Sequence, residues 1–79
     1  MNRKRTSVIT PVSEIIDAAM DGYVTWREES AAVRVAYESW RRASPIEEAV
    51  AFEDYFIALD REERAASEYR RLIELAQAA

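Results

Sequence analysis

The chain contains no cysteine and no histidine, one glycine, two prolines and a single lysine among 79 residues. Without cysteine there are no disulfides, thiolate zinc sites or sulfur nucleophiles. Without histidine the commonest general base and metal ligand are also missing, and a Ser-His-Asp triad cannot be assembled. One glycine leaves no phosphate-cradling loop. The sole lysine, Lys4, lies in the first residues, so a buried Schiff-base amine is not available. The longest apolar run, Tyr55 to Leu59, is five residues, against about 20 for a transmembrane helix. Val8-Ile9 is too short for the apolar stretch of a secretory signal. These absences predict a cytoplasmic protein that is not an enzyme, with no cofactor, no small-molecule substrate and no membrane partner.

What is present is apolar and acidic. Hydrophobic residues make up 49% of the chain, with two Trp, four Tyr and two Phe, enough to bury a core. The net charge of −4 is unevenly spread: residues 1–11 carry Arg3, Lys4 and Arg5 and no acid, while the rest is strongly acidic. The body repels nucleic acid and anionic lipid, and the arm attracts them. Ten Arg against one Lys, with 14 Ala, suggest a GC-rich bacterial or phage genome.

Proline supplies the punctuation. Thr10-Pro11 predicts a helix start, with Thr as cap and Pro in the first turn. Ser44-Pro45-Ile46-Glu47 is a capping-box pattern, and no other proline intervenes. The pattern predicts a flexible basic arm over 1–10 and an all-α antiparallel helical hairpin over 11–79. Its parts are a helix over 11–43, a turn at 44 and a helix over 45–78. Asp21-Gly22 is the one place where the first helix could break; the apolar period runs through it without a phase change, so a continuous helix is expected.

Large apolar residues recur in steps of four and three along both helices. The first line is Val12, Ile16, Ala19, Tyr23, Trp26, Ser30, Val33, Tyr37 and Trp40. The second is Ala49, Phe52, Phe56, Leu59, Glu63, Ala66, Tyr69, Ile73 and Ala76. Folded back on each other, these lines pair Trp40 with Ala49, Val33 with Phe56, Trp26 with Glu63 and Ile16 with Ile73. Glu63 then snorkels to solvent, bonds the Trp26 indole N–H or pairs with Arg27.

Outside these lines lie Ile15, Val24, Val35, Ile46, Val50, Ile57, Leu72 and Leu75. With Trp40 they form the candidate oligomer or partner interface, because a monomer this small rarely leaves so much apolar surface in water. The expected partner is a second copy, giving a four-helix bundle, or another helical protein. The function read from this is a small interaction protein, an adaptor or accessory subunit. The alternative is a nucleic-acid-associated regulator that uses Arg3, Lys4 and Arg5. Asp60, Glu62, Glu63, Glu28 and Glu29 cluster in acidic character, but without histidine they read as a solvated face rather than a metal site.

Trp40-Arg41-Arg42 beside the turn resembles, at Trp40 alone, the Trp-x-Gly turn of a family of small secreted helical hairpins. Arg42 stands where that glycine would be, and Tyr69 is followed four residues on by Ile73 rather than an acid. The resemblance implies a hairpin shape and carries no activity. The architecture is also similar to that of small dimeric hairpin regulators.

Overall fold

A computed structural model describes residues 11–78. Two helices pack against each other, α1 (Val12–Arg41) and α2 (Glu48–Ala78), and no strand occurs among the described residues. Neither helix is long and apolar enough to cross a membrane.

Proline fixes both starts, though not quite as the sequence predicts. Pro11 is itself the N-cap, with φ −62° and ψ 146°, so its ring is set for a helix while its ψ stays extended. Its carbonyl accepts from Glu14 N at 3.0 Å and Ile15 N at 3.3 Å. The first helix ends at Arg41, and Arg42 N and Ala43 N close on Glu38 O and Trp40 O. Arg41 and Arg42 both reach Glu38, at 3.6 and 3.8 Å, and place positive charge at the negative end of the helix. Pro45–Glu47 form a turn before α2 instead of its first residues. The capping box is half made: Ser44 N donates to Glu47 Oε1 at 3.3 Å, and Glu47 N donates to Ser44 O at 2.9 Å.

The contact between the helices does not follow the line of large residues. The residues with little exposure on α1 include a regular series, Ile15, Ala19, Gly22, Trp26, Glu29, Val33, Ala36 and Trp40, flanked by Ala18, Ser30 and Ala31. On α2 the corresponding series is Ala51, Tyr55, Ala58, Glu62, Ala65, Tyr69, Leu72 and Ala76, flanked by Leu59, Ala66 and Ile73. Each series repeats in steps of four and three, so both helices present a true heptad stripe. Relative to the line of large residues, the α2 stripe is displaced by one position, a rotation of about 100°. Trp26 therefore meets Glu62 and Tyr69, not Glu63 and Ala66. Trp40 meets Phe52 and Tyr55.

The physical reason is the size of the residues in the stripe. Small side chains at Ala19, Gly22, Ala51, Ala58 and Ala65 let two lone helices come close, and close approach maximises contact for every neighbouring atom. Gly22 marks the closest approach. A Cβ placed there would lie 3.0 Å from Leu72 Cδ1 and 3.7 Å from the Tyr69 Cα. The helix runs through Gly22 unbroken.

The price of this geometry is a thin core. Only Ala19 (6% exposed) and Ala51 (9%) are buried, and no large side chain is fully buried among the described residues. Two aromatic clusters fold over the contact. Trp26 stacks on Tyr69 (5.8 Å, 11°), with Tyr23 edge-on to Trp26 and tilted against Tyr69. Near the turn, Trp40 stacks on Tyr55 (5.5 Å, 16°) and is flanked by Tyr37 and Phe52. Aromatic pairs of this kind contribute about 0.5–1.5 kcal/mol beyond area burial.

A polar layer separates the clusters. Trp26 Nε1 donates to Glu62 Oε2 at 2.7 Å, and Ser30 Oγ donates to the same oxygen at 3.3 Å. Arg61 bridges to Glu29 at 3.2 Å beside it. Glu62 thus fills the role that sequence periodicity assigns to Glu63, which is exposed. Glu62→Ala is expected to cost about 1–2 kcal/mol, because it removes the acceptor of a part-buried indole N–H. Glu63→Gln is expected to leave hairpin stability unchanged. Urea titrations of both variants check this, and a larger loss at position 63 would contradict the observed register.

On the exposed face, Arg71 donates twice to Glu68, from Nε to Oε1 at 3.1 Å and from Nη2 to Oε2 at 2.8 Å. That hydrogen bond, outweighing the small loss of solvation, holds the Glu68 carboxyl below the usual range. A lowered folded-state pKa contributes stability above the ordinary carboxylate range and loses it as pH falls through the folded value. Since both groups are fully exposed, the effect is small.

Candidate interaction surface

Along a heptad stripe, the residues next to the contact on one side fall one position after it, and the next row outward falls four positions after it. On α1 these rows give Ile16, Tyr23, Ser30 and Tyr37, then Met20, Arg27 and Arg34. On α2 they give Phe52, Leu59, Ala66 and Ile73, then Ala49, Phe56, Glu63 and Arg70. Both helices carry their large apolar residues on this same edge. The result is one long apolar flank along a single side of the hairpin.

At the free end the flank opens into a groove of about 580 Å³, bordered by Ile16, Met20, Tyr23, Val24, Tyr69 and Ile73. Ile16 and Ile73 share this groove, as the sequence expects, but at its rim rather than between the helices. At the turn end Val33, Arg34, Tyr37 and Tyr55 border a second hollow. Beside them Phe56 is 56% exposed and touches the Phe52 ring edge-on at 4.8 Å. Between the two ends lie Arg27, Ser30, Glu63 and Ala66. Arg27 donates to Tyr23 OH at 2.9 Å and lies 5.8 Å from the centre of that ring.

The opposite edge of the hairpin is different in kind. It carries Ala18, Thr25, Ala32 and Ser39 on α1 and Asp54, Arg61, Glu68 and Leu75 on α2. Its next row outward adds Val35, Val50 and Ile57, so with Leu75 it exposes four aliphatic side chains but no aromatic one. The two sides are therefore not equivalent, and only one resembles a surface cut from a larger core.

The residues that the sequence singles out as interface fall on several faces. Val24 borders the groove at the free end. Trp40 is half-buried in the turn-end cluster. Ile15 and Leu72 lie in the contact between α1 and α2, where Leu72 approaches Gly22. Val35 (70% exposed), Val50 and Ile57 project from the outer faces near the turn, Ile46 (91%) from the turn itself, and Leu75 from the polar edge. The structure does not gather them into one patch. Sequence periodicity instead places Phe52, Phe56 and Tyr37 inside the hairpin, and these are the residues that build the flank. Each of the three lies one position after a residue of the contact stripe, Ala36, Ala51 or Tyr55.

Arg3, Lys4 and Arg5 lie outside the described residues. The acidic residues disperse. Glu62 points inward to Trp26, Glu29 pairs with Arg61, and Asp60 pairs with Arg64 at 2.9 Å. Among the described residues no group of three or more acidic side chains converges as a metal site would require.

No protein-family model, curated protein or solved structure matches this chain.

Proposed function

We propose that the chain is a small non-enzymatic interaction protein, an adaptor or accessory subunit, that works as part of a homo- or hetero-oligomer. Its working surface is the flank formed by Ile16, Met20, Tyr23, Tyr37, Phe52 and Phe56. The simplest closed assembly is a two-fold dimer of hairpins, a four-helix bundle.

The observation that carries this reading is that the exposed aromatic side chains, Tyr23, Tyr37, Phe52 and Phe56, all lie on one flank, beside Ile16 and Met20. Scattered surface apolar residues are ordinary, but a contiguous flank rimmed by charge is the mark of a contact surface. Covering it would supply the burial that the hairpin lacks on its own, roughly 1.5–3 kcal/mol for each large side chain fully withdrawn from water. A chain under about 80 residues without disulfide or metal gains its margin in this way more readily than from its own core.

Phe56→Glu tests the reading. Phe56 contacts its own chain mainly through Phe52, so the variant is expected to keep its helical circular dichroism. Its association, with itself or with a partner copurified from the native host, is expected to weaken about 100-fold or more, as for a central aromatic anchor. Thr25→Glu, on the polar edge, is expected to leave association unchanged. If both variants associate like the parent chain, the flank is not the working surface.

A further inference from the structure

The charges that rim the flank go further and indicate its occupant; this step rests on the flank being a contact surface. Among the described residues, Arg27 and Arg34 of α1 pair with no carboxylate, and Glu63 and Arg70 of α2 and Asp17 of α1 make no ion pair either. Glu53, beside Phe52 and Phe56, and Asp21, at the free-end groove, make no ion pair among the described residues either. The first five residues sit at related heights. Trp26 opposite Glu62, Gly22 opposite Tyr69 and Glu29 opposite Arg61 fix the vertical match between the helices. By that match Arg27 stands level with Glu63, Arg34 lies within a turn of Asp60 and Glu53, and Asp17 lies within a turn or so of Arg70.

We infer that the occupant of the flank is a second copy of this chain, related by a two-fold axis parallel to the helices. In that arrangement α1 packs on the partner's α2 at the same height, and both turns lie at one end. Arg27 then faces the partner's Glu63, and Asp17 faces the partner's Arg70, each contact occurring twice. Arg34 approaches the partner's Glu53. The apolar ends also match: Ile16 and Met20 meet the partner's Ile73, and Tyr37 meets the partner's Phe56.

The alternative two-fold, perpendicular to the helices, packs α1 on the partner's α1 with the turns at opposite ends. At full overlap it sets Arg27 beside the partner's Arg27 and Glu63 beside the partner's Glu63. Like charges facing each other disfavour an assembly, and complementary ones set its register. Size is also in keeping. Two helices of 30 residues side by side present about 45 by 20 Å, roughly 900 Å², close to the about 800 Å² per partner of a standard stable interface.

Charge reversal with mixing tests the inference. Arg27→Glu alone and Glu63→Arg alone are each expected to raise the dimer dissociation constant about tenfold or more, because two attractive contacts become repulsive. An equimolar mixture of the two variants is expected to recover near-parental affinity, since both cross-contacts are then complementary. Recovery on mixing separates contacts between copies from contacts within one chain, which mixing cannot repair. Sedimentation equilibrium reads all three samples. Spin labels on a Ser44→Cys variant, in a chain with no other cysteine, are expected to lie within about 20 Å of each other, against about 45 Å or more for turns at opposite ends.

A dimer whose labels are far apart, or whose reversal variants do not recover on mixing, overturns the arrangement. A chain that stays monomeric at high micromolar concentration overturns the identity of the occupant. In that last case the flank reading is judged separately, by whether Phe56→Glu releases a copurified partner.

Discussion

Trp40→Ala is expected to cost about 3 kcal/mol, more than half of the stability a hairpin of this size has to lose. Trp40 is the hub of the turn-end cluster, within ring contact of Tyr37, Phe52 and Tyr55. Truncation of a large aromatic in a packed site typically costs 3–5 kcal/mol, and half-burial places Trp40 at the lower end. Small domains have a margin of only about 5 kcal/mol, and the described residues contain no fully buried large side chain to compensate. Urea unfolding followed by circular dichroism reads the loss. The control is Val35→Ala, at an outward position 70% exposed, which is expected to change stability by less than about 0.5 kcal/mol. Equal effects at the two positions would mean that the turn-end cluster does not hold the hairpin together.

The second large effect lies at Gly22, where two substitutions are expected to act in opposite directions. In Gly22→Ala the new methyl would lie 3.0 Å from Leu72 Cδ1, the far end of a half-buried, flexible side chain. Leu72 has room to give by a few tenths of an ångström. Alanine also favours the helix over glycine by about 1 kcal/mol, so the net result is a gain of roughly 0.5 kcal/mol. In Gly22→Leu the longer side chain meets Tyr69, whose Cα and Cδ1 are both 3.7 Å from the added Cβ. Those atoms belong to the facing backbone and to a stacked ring, and neither moves without opening the hairpin. Overpacking of this kind costs about 1–3 kcal/mol. Thermal melts of the two variants should bracket the parent chain. If leucine is tolerated as well as alanine, the helices are not as close at Gly22 as described.

These two sites also show which parts of the fold are legible in the sequence. The break at Ser44-Pro45 and the absence of any later proline dictate two helices and a tight return. The rotation of each helix about its own axis is not dictated in the same way. Each helix carries two apolar stripes side by side, one of small residues (Ala19, Gly22, Ala51, Ala58, Ala65) and one of large residues (Tyr23, Tyr37, Phe52, Phe56). Hydrophobicity ranks the large stripe first, and both stripes share the heptad period, so spacing does not distinguish them. Packing distinguishes them: small side chains at Ala19, Gly22, Ala51, Ala58 and Ala65 let the helices approach, and Trp26, Tyr69, Trp40 and Tyr55 stack across the contact between them. Glycine in mid-helix, a cost when judged by propensity alone, is the residue that points to the correct stripe. Glu62 was obscured for the same reason. A carboxylate scores as solvent-facing until a part-buried indole N–H opposite it calls for an acceptor.

The flank was legible in amount and not in position. The sequence shows that the chain has more apolar surface than one helix–helix contact uses. It does not show that the surplus collects on one edge, because that depends on the rotation that puts Phe52 and Phe56 outside.

Everything therefore depends on which stripe α1 and α2 turn toward each other, and nuclear Overhauser contacts from the Trp26 indole read that choice directly. The Trp26 Nε1 proton and ring are expected to show strong contacts to Tyr69 ring protons and to the Glu62 side chain, with the Tyr23 ring close by. Strong contacts from Trp26 to Glu63 and the Ala66 methyl instead, together with contacts between Val33 and the Phe56 ring in the same molecule, would contradict the account. The large stripe would then be inside and no apolar flank would remain.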